Sequence, residues 1–143
     1  PVVVHQSGAK QIDALRANYA NAGVNAELTP FIEDTAQAFA DADLIICRAG
    51  ASTVTEIAAV GAAALYVPFP FAVDDHQTTN ANFLVNQGAG WLMPQAQMTP
   101  ETLAAFLSQQ NRDQLLACAE KAWALKKTHA TQDVVAACEA LAA

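Results

Sequence analysis

The chain has 143 residues, 53% of them hydrophobic and 15% charged, and carries a formal net charge of -7. That length suits one domain with a core of its own, and the acidic balance makes nucleic acid and anionic membrane surfaces poor candidates as partners of this segment. No apolar run reaches the roughly 18–20 residues of a bilayer-spanning helix, so direct membrane insertion is excluded, and the apolar excess points to a further surface that needs covering.

In chain order, Val2–His5 reads as a buried strand that ends in the polar turn Gln6-Ser7-Gly8. It opens at Pro1 in the middle of a strand pattern, which predicts a chain cut into at its N-terminal side. Residues 9–22 place Ile12, Leu15, Tyr19 and Ala22 at helical spacing, with Gly23 as a stop. Val24–Thr29 is a second strand, and a short helix over 35–41 follows, capped by Asp34 or Thr35. Leu44-Ile45-Ile46-Cys47 is a continuous apolar run of the kind found in a parallel sheet covered on both faces.

Gly50-Ala51-Ser52-Thr53 turns the chain into a helix that ends at Gly61, and Ala64–Val67 is a fourth strand stopped by Pro68. A loop with Pro70, Asp74 and Asp75 leads to a helix over 77–87, and Trp91–Met93 is a fifth, edge strand. Thr99 as N-cap and Pro100 in the first helical position begin another helix. Two Ala-rich helices, 111–127 and 131–142, complete the chain.

Strands alternating with helices predict an α/β fold with a doubly wound parallel sheet. Ligands of such sheets bind beyond the carboxyl ends of the strands. The turns 6–8, 31–35, 48–53 and 69–77 all fall at that edge.

The stretch Cys47–Glu56 is the most informative. Small residues after a strand let the backbone approach a ligand, and the next helix aims its free N–H groups at an anion. Glu56 has two readings. Thr53-Val54-Thr55-Glu56 matches a capping box, whereas a carboxylate at this edge also suits ribose hydroxyls. Asp74-Asp75-His76-Gln77 reads as a solvated helix start with an Asp cap, or as His76 and Gln77 contacting the hydroxyls of a polar ligand. A metal site there is disfavoured, because adjacent residues seldom converge on one ion.

Phe31 and Ile32 either pack in the core or cover a planar base, with Ile32 backbone groups reading its edge. His5 is a satisfied strand-end residue in preference to a catalytic one, and His129 lies at the surface. Ser7 and Ser52 lack a nucleophile-elbow context, and neither a dinucleotide fingerprint nor a Walker A motif occurs. No catalytic residue, metal or cofactor is expected within the chain. Cys47, Cys118 and Cys138 are widely spaced and read as reduced, mostly buried thiols.

Taken together, His5-Gln6-Ser7-Gly8, the block 30–61, and Val67-Pro68-Phe69 with 74–81 resemble the MurG family of glycosyltransferases. The resemblance runs over essentially the whole chain and includes its C-terminal helices. It implies part of the C-terminal, Rossmann-like domain of a GT-B enzyme, lacking its first strand and glycine-rich phosphate loop, with the N-terminal acceptor domain absent. The family moves N-acetylglucosamine from its UDP donor onto lipid I to form lipid II for peptidoglycan, as a peripheral protein on the cytoplasmic side of the bacterial inner membrane.

Carried over by motif, the Ile32 backbone would pair with uracil, with Phe31 and Thr35 nearby, and Glu56 would hold the ribose hydroxyls. Gly50 lies in the same turn, and the amides of Ala51, Ser52 and Thr53 would meet the diphosphate and sugar O4. Gln77 would contact N-acetylglucosamine hydroxyls. His76 departs from members that have Gln there, which weakens its assignment. The resemblance further implies that these residues alone carry no transferase activity. Another GT-B UDP-sugar transferase, or a non-catalytic nucleotide-binding module, are the competing readings.

Overall fold

A computed structural model describes residues 1–142, Val73 through its backbone alone. The chain forms two compact units, Pro1–Ala38 and a second that starts at Phe39.

In the first unit, strand β1 (Val4–Gln6) is followed by helix α1 (Ile12–Ala22) and strand β2 (Glu27–Thr29). β1 and β2 pair in parallel, Val4 opposite Glu27 and Gln6 opposite Thr29. The predicted burial of the first strand does not hold, since all three of its residues are exposed and Val2 is 98% exposed. β1 has one strand neighbour among the described residues, so one of its two edges has no strand partner there. His5 donates or accepts through Nδ1 at 3.1 Å from the Tyr19 hydroxyl, and the two rings meet edge to face. It is thus partnered within the helix–strand pair, as expected for a strand-end His.

Helix α2 (Thr35–Asp41) begins under an Asp cap: Asp34 Oδ1 accepts from the Gln37 N–H at 2.9 Å. That decides between the two cap residues considered from sequence.

The second unit holds three parallel strands in the order β3 (Ile45–Cys47), β4 (Ala64–Tyr66), β5 (Trp91–Leu92). Helix α3 (Ala51–Val60) joins the first two and α4 (His76–Val85) the second and third. Central β4 is wholly buried, as its unbroken Ala-Leu-Tyr run requires, and β5 is the edge. The α/β class and parallel pairing are those read from sequence. Within each unit the described strands form one hydrogen-bonded set, β1–β2 in the first and β3–β4–β5 in the second.

Ile45, Ala49, Val54, Ile57, Ala58, Ala64, Tyr66, Ala81, Leu84 and Ala122 make one core cluster. Ile57 and Leu84 are among its fully buried side chains, each contributing about 1.5–3 kcal/mol of hydrophobic stabilisation. α3 stops at Gly61, whose φ of 74° only glycine adopts readily, and whose missing Cβ leaves room for Trp123 Cβ at 3.1 Å. Gly90 serves a different purpose. A Cβ there would lie 2.9 Å from the Tyr66 ring, so the glycine lets β5's approach pass directly over a core aromatic.

Helix α5 (Pro100–Gln109) starts with Pro at N1 and a reciprocal Thr99–Thr102 capping box; α6 (Arg112–Ala124) starts with an Asn111–Gln114 box. α7 (Ala130–Ala142) buries none of its side chains, and Leu141 is 90% exposed. No helix among the described residues is long and apolar enough to cross a membrane.

The thiols divide by depth. Cys118 is buried, Cys47 half-buried and Cys138 exposed, so the expectation of mostly buried thiols fails at Cys138, which sits on the uncovered α7. Burial pushes the Cys47 thiol up to about 12 and raises Cys118 as well.

Candidate functional site

The α3 turn is built by the end of β3. Gly50 occupies the N-cap with extended backbone (φ -61°, ψ 148°), and no side chain caps the helix. The first intrahelical bond is Val54 N–H to the Gly50 carbonyl at 3.0 Å. The preceding amides of the first turn therefore have no side-chain acceptor and carry the positive end of the helix dipole. Ala51 and Ser52 are exposed and Thr53 is half-buried. A Cβ on Gly50 would meet only Thr53 Oγ1 at 3.7 Å. Glycine is an ordinary N-cap residue, and among the described residues the space beside it is open.

The helix register settles the capping-box question. With Gly50 at N-cap, Thr53 is the third helical residue and Glu56 the sixth, beyond the first turn. Glu56 cannot reach back to cap the helix. Its side chain is exposed and makes no hydrogen bond or ion pair among the described residues. Ser52 and Glu56 are four residues apart and share one exposed face.

Helix α4 supplies the other half of the arrangement. Gln77 Oε1 accepts from the N–H of Phe69 at 2.9 Å and from that of Ala49 at 3.3 Å. Asn80 Nδ2 donates to the Ala49 carbonyl at 3.1 Å. Arg48 donates through Nη1 to the carbonyls of Val67 and Pro68, both at 3.1 Å, and through Nη2 to Gln95 Oε1 at 2.7 Å. Its guanidinium also lies over the Phe69 ring at 5.5 Å. The two turns beyond β3 and β4 are thereby stitched to each other and to the start of α4.

The predicted Asp cap of α4 is corrected. Asp75 stands at the N-cap, but it does not bond a backbone N–H. Its carboxylate accepts from the Thr78 hydroxyl at 2.7 Å. Asp74 and Asp75 both adopt left-handed backbone, φ 51° and 50°, a conformation that Asp tolerates better than most residues. His76, the first residue of α4, is exposed. Among the described residues, no three His, Cys, Asp or Glu side chains are grouped as a metal ion would need.

In the first unit, Phe31 is 66% exposed, so the core-packing reading of that side chain does not hold. Its N–H donates to Thr29 Oγ1 at 3.3 Å and its carbonyl accepts from the same hydroxyl at 2.8 Å. This tight turn holds the ring out from the strand end. Ile32 is half-buried, and its N–H is already taken by Gln6 Oε1 at 2.7 Å. Its carbonyl, not its N–H, is the group open to a base in this conformation. Thr35 is exposed at the start of α2.

Gly50, Ala51, Ser52, Thr53, Glu56, His76 and Gln77 thus come together in the second unit at the ends of β3 and β4, whereas Phe31, Ile32 and Thr35 belong to the first. Sequence reasoning missed Arg48, Asn80 and Gln95. A signal existed for Asn80: it lies three residues after Gln77, on the same helical face. Arg48 gave none, because its partners are backbone carbonyls of another turn.

The family model for the glycosyltransferase family 28 C-terminal domain matches residues 2–136. The UDP-N-acetylglucosamine--N-acetylmuramyl-(pentapeptide) pyrophosphoryl-undecaprenol N-acetylglucosamine transferase of Polaromonas sp. (strain JS666) is 73% identical over 142 residues, 99% of this chain and 37% of that protein. The protein of the same name from Paracidovorax citrulli is 66% identical over the full chain, which covers 40% of it. The crystal structure of Acinetobacter baumannii MurG superposes with a TM-score of 0.85 at 50% identity, over 92% of this chain and 41% of that one. The glycosyltransferase VinC, solved in complex with dTDP, shares the fold with a TM-score of 0.65 at 21% identity, over 96% of this chain and 34% of VinC. The chain accordingly spans well under half the length of these relatives. With a family model matching nearly its whole length, the chain belongs to the glycosyltransferase family 28 C-terminal domain family.

Proposed function

We propose that the chain is the donor-binding part of a hexosyltransferase that moves N-acetylglucosamine from UDP-N-acetylglucosamine onto lipid I, forming lipid II. The observation that carries this reading is the uncapped start of α3 with an unpartnered carboxylate one turn along the same face. Free amides and a helix dipole suit a diphosphate, and a carboxylate accepting two hydroxyls suits a ribose. The names of the relatives supply the donor and acceptor.

In this reading the amides of Gly50, Ala51, Ser52 and Thr53 take the diphosphate. Backbone dipoles provide the attraction, so binding of an anion is compatible with the chain's net charge of -7. Glu56 holds the ribose, and Ile32 reads the uracil with Phe31 and Thr35 beside it. For its N–H to take part, Gln6 must let go of Ile32. Gln77 has its oxygen engaged by two backbone amides, so it meets the sugar as a donor through Nε2, and His76 stands next to it. No metal or cofactor enters.

The acceptor, and any proton-accepting group, come from outside these 143 residues; transfer requires both substrates in one cleft, where proximity supplies much of the rate. The full-length protein works at the cytoplasmic face of the bacterial inner membrane as a peripheral enzyme of cell-wall synthesis. Calorimetric titration with UDP-N-acetylglucosamine, UDP-glucose and UDP tests the reading. The N-acetylglucosamine donor should bind tightest. Equal affinity for all three would point to a nucleotide-binding module without sugar selectivity, and no binding of UDP would end the proposal.

A further inference from the structure

The turn beyond β4 carries an aromatic side chain for which the donor-site reading has no use. The Phe69 carbonyl accepts from the Ala72 N–H at 3.1 Å, closing a turn with Pro70 and Phe71 at its centre, and proline is favoured in the first of those positions. The turn is pinned at its base, where the Phe69 N–H donates to Gln77 Oε1 at 2.9 Å and the Arg48 guanidinium lies 5.5 Å from the centre of the Phe69 ring. Phe71 stands at the tip, 83% exposed, its ring edge to face with that of Phe69 at 5.7 Å. Single exposed apolar residues are ordinary. Here, however, a pair of rings is held out by a hydrogen-bonded turn, an arginine brace and the fixed φ of Pro68 and Pro70. That makes a rigid apolar platform at a loop tip, the kind of place where proteins take ligands.

The platform lies beyond the carboxyl end of β4 and is joined through Phe69 to Gln77, the residue given above to the donor sugar. Transfer between two sugars requires the acceptor oxygen within about 3–3.5 Å of the donor carbon it attacks, so the acceptor's own sugar must lie beside the donor's. A pyranose is polar around its rim but presents C–H groups on its faces, which suit the face of a phenyl ring. We propose that Phe71, backed by Phe69, is a specificity-determining residue for the acceptor: its ring packs on the C–H face of the acceptor sugar. The inference rests on the donor-site reading and extends it, because it gives this part of the enzyme a hold on the second substrate. A phenyl ring carries no charge and no hydrogen-bonding group, so it adds nothing to the grip on a diphosphate, and donor affinity should not depend on it.

The test is steady-state kinetics of the full-length enzyme, wild type against Phe71→Ala and Phe71→Tyr, with UDP-N-acetylglucosamine and two lipid I analogues, one on a short alkyl chain and one on a polyprenyl chain. For Phe71→Ala the acceptor KM should rise about tenfold (about 1.4 kcal/mol), equally for both analogues because the sugar is what they share. The donor KM should stay within about twofold, and Phe71→Tyr, which keeps the ring, should restore the acceptor KM to within about twofold of the wild type. An unchanged acceptor KM in Phe71→Ala overturns the proposal. So does a rise confined to the polyprenyl analogue, which would place the ring against the lipid chain, and so does an equal rise in the donor KM, which would mean that the turn only supports the donor site. Calorimetric titration of the 143-residue chain with UDP-N-acetylglucosamine keeps the two readings apart: if the wild-type chain does not bind it, the donor-site reading falls first, whereas a binding chain with an indifferent Phe71→Ala enzyme sinks this inference alone.

Discussion

Replacing Glu56 by Ala separates two roles for one carboxylate, and the register of α3 says which to expect. Loss of a helix cap costs about 0.5–2 kcal/mol, or about 4 °C of melting temperature per kcal/mol for a chain of this size. Glu56, however, is the sixth residue of its helix, exposed and unpartnered. Ala is the better helix former by a few tenths of a kcal/mol, so the melting temperature should hold or rise by a degree or two. Ligand binding should respond quite differently. Hydrogen bonds to a charged group contribute about 1.5–3 kcal/mol, which at 1.4 kcal/mol per decade is about a ten- to hundredfold loss of UDP affinity. Removing the negative charge also relieves repulsion of the diphosphate, so Glu56→Gln is the stricter variant.

The discriminating assay is calorimetric titration of UDP against 2′-deoxy-UDP. The wild type should prefer UDP, and both variants should lose that preference. A melting temperature lowered by 4 °C with the ribose preference intact would mean that the carboxylate supports the helix, and the reasoning would be refuted.

Other consequences concern the core and the thiols. Tyr66 is fully buried and its hydroxyl has no partner among the described residues; an orphaned group of this kind costs about 1–3 kcal/mol. Tyr66→Phe should therefore raise stability by roughly 1 kcal/mol in a urea titration, and a loss of that size would show that the hydroxyl has a partner after all. Cys138 is the exposed thiol, so a thiol reagent at pH 8 should label it quickly and leave Cys47 and Cys118 until the chain unfolds; rapid labelling of Cys47 would contradict its burial. Cys47 also makes stability pH-dependent. Its ordinary value near 9 is raised to about 12, so between these values the unfolded chain has released a proton that the folded chain keeps. Stability should fall as pH rises through that window and be flat with respect to this group below it. Cys47→Ala should shallow the decline measured by denaturant titration at pH 9.5 and 11.

Sequence by itself determined the order and type of the strands and α-helices, because each rests on local chemistry, though not the 3-10 turns Val73–Asp75 and Gln95–Gln97. Val and Ile runs are strands between glycine and proline stops, and Thr99-Pro100 and Asn111 start helices through their own side chains. The α/β class followed from that alternation, and the block around 50–56 and 74–77 stood out as a candidate ligand edge because small residues and carboxylates clustered after strands.

Other features depended on where a helix begins or what lies across from a side chain, which only tertiary structure decides. Three residues of register separate a capping Glu56 from the one observed, and the four-residue match to the capping pattern does not hold, since Gly50 with its extended backbone takes the N-cap instead. The exposure of Phe31 depended on the Thr29 turn, and that of the first strand on its having a single partner. Arg48 was invisible because it bonds backbone carbonyls of another turn, and a carbonyl leaves no trace in the residue type that carries it. Periodicity reports the face a residue occupies; the partner waiting opposite is set by packing between elements distant in the chain.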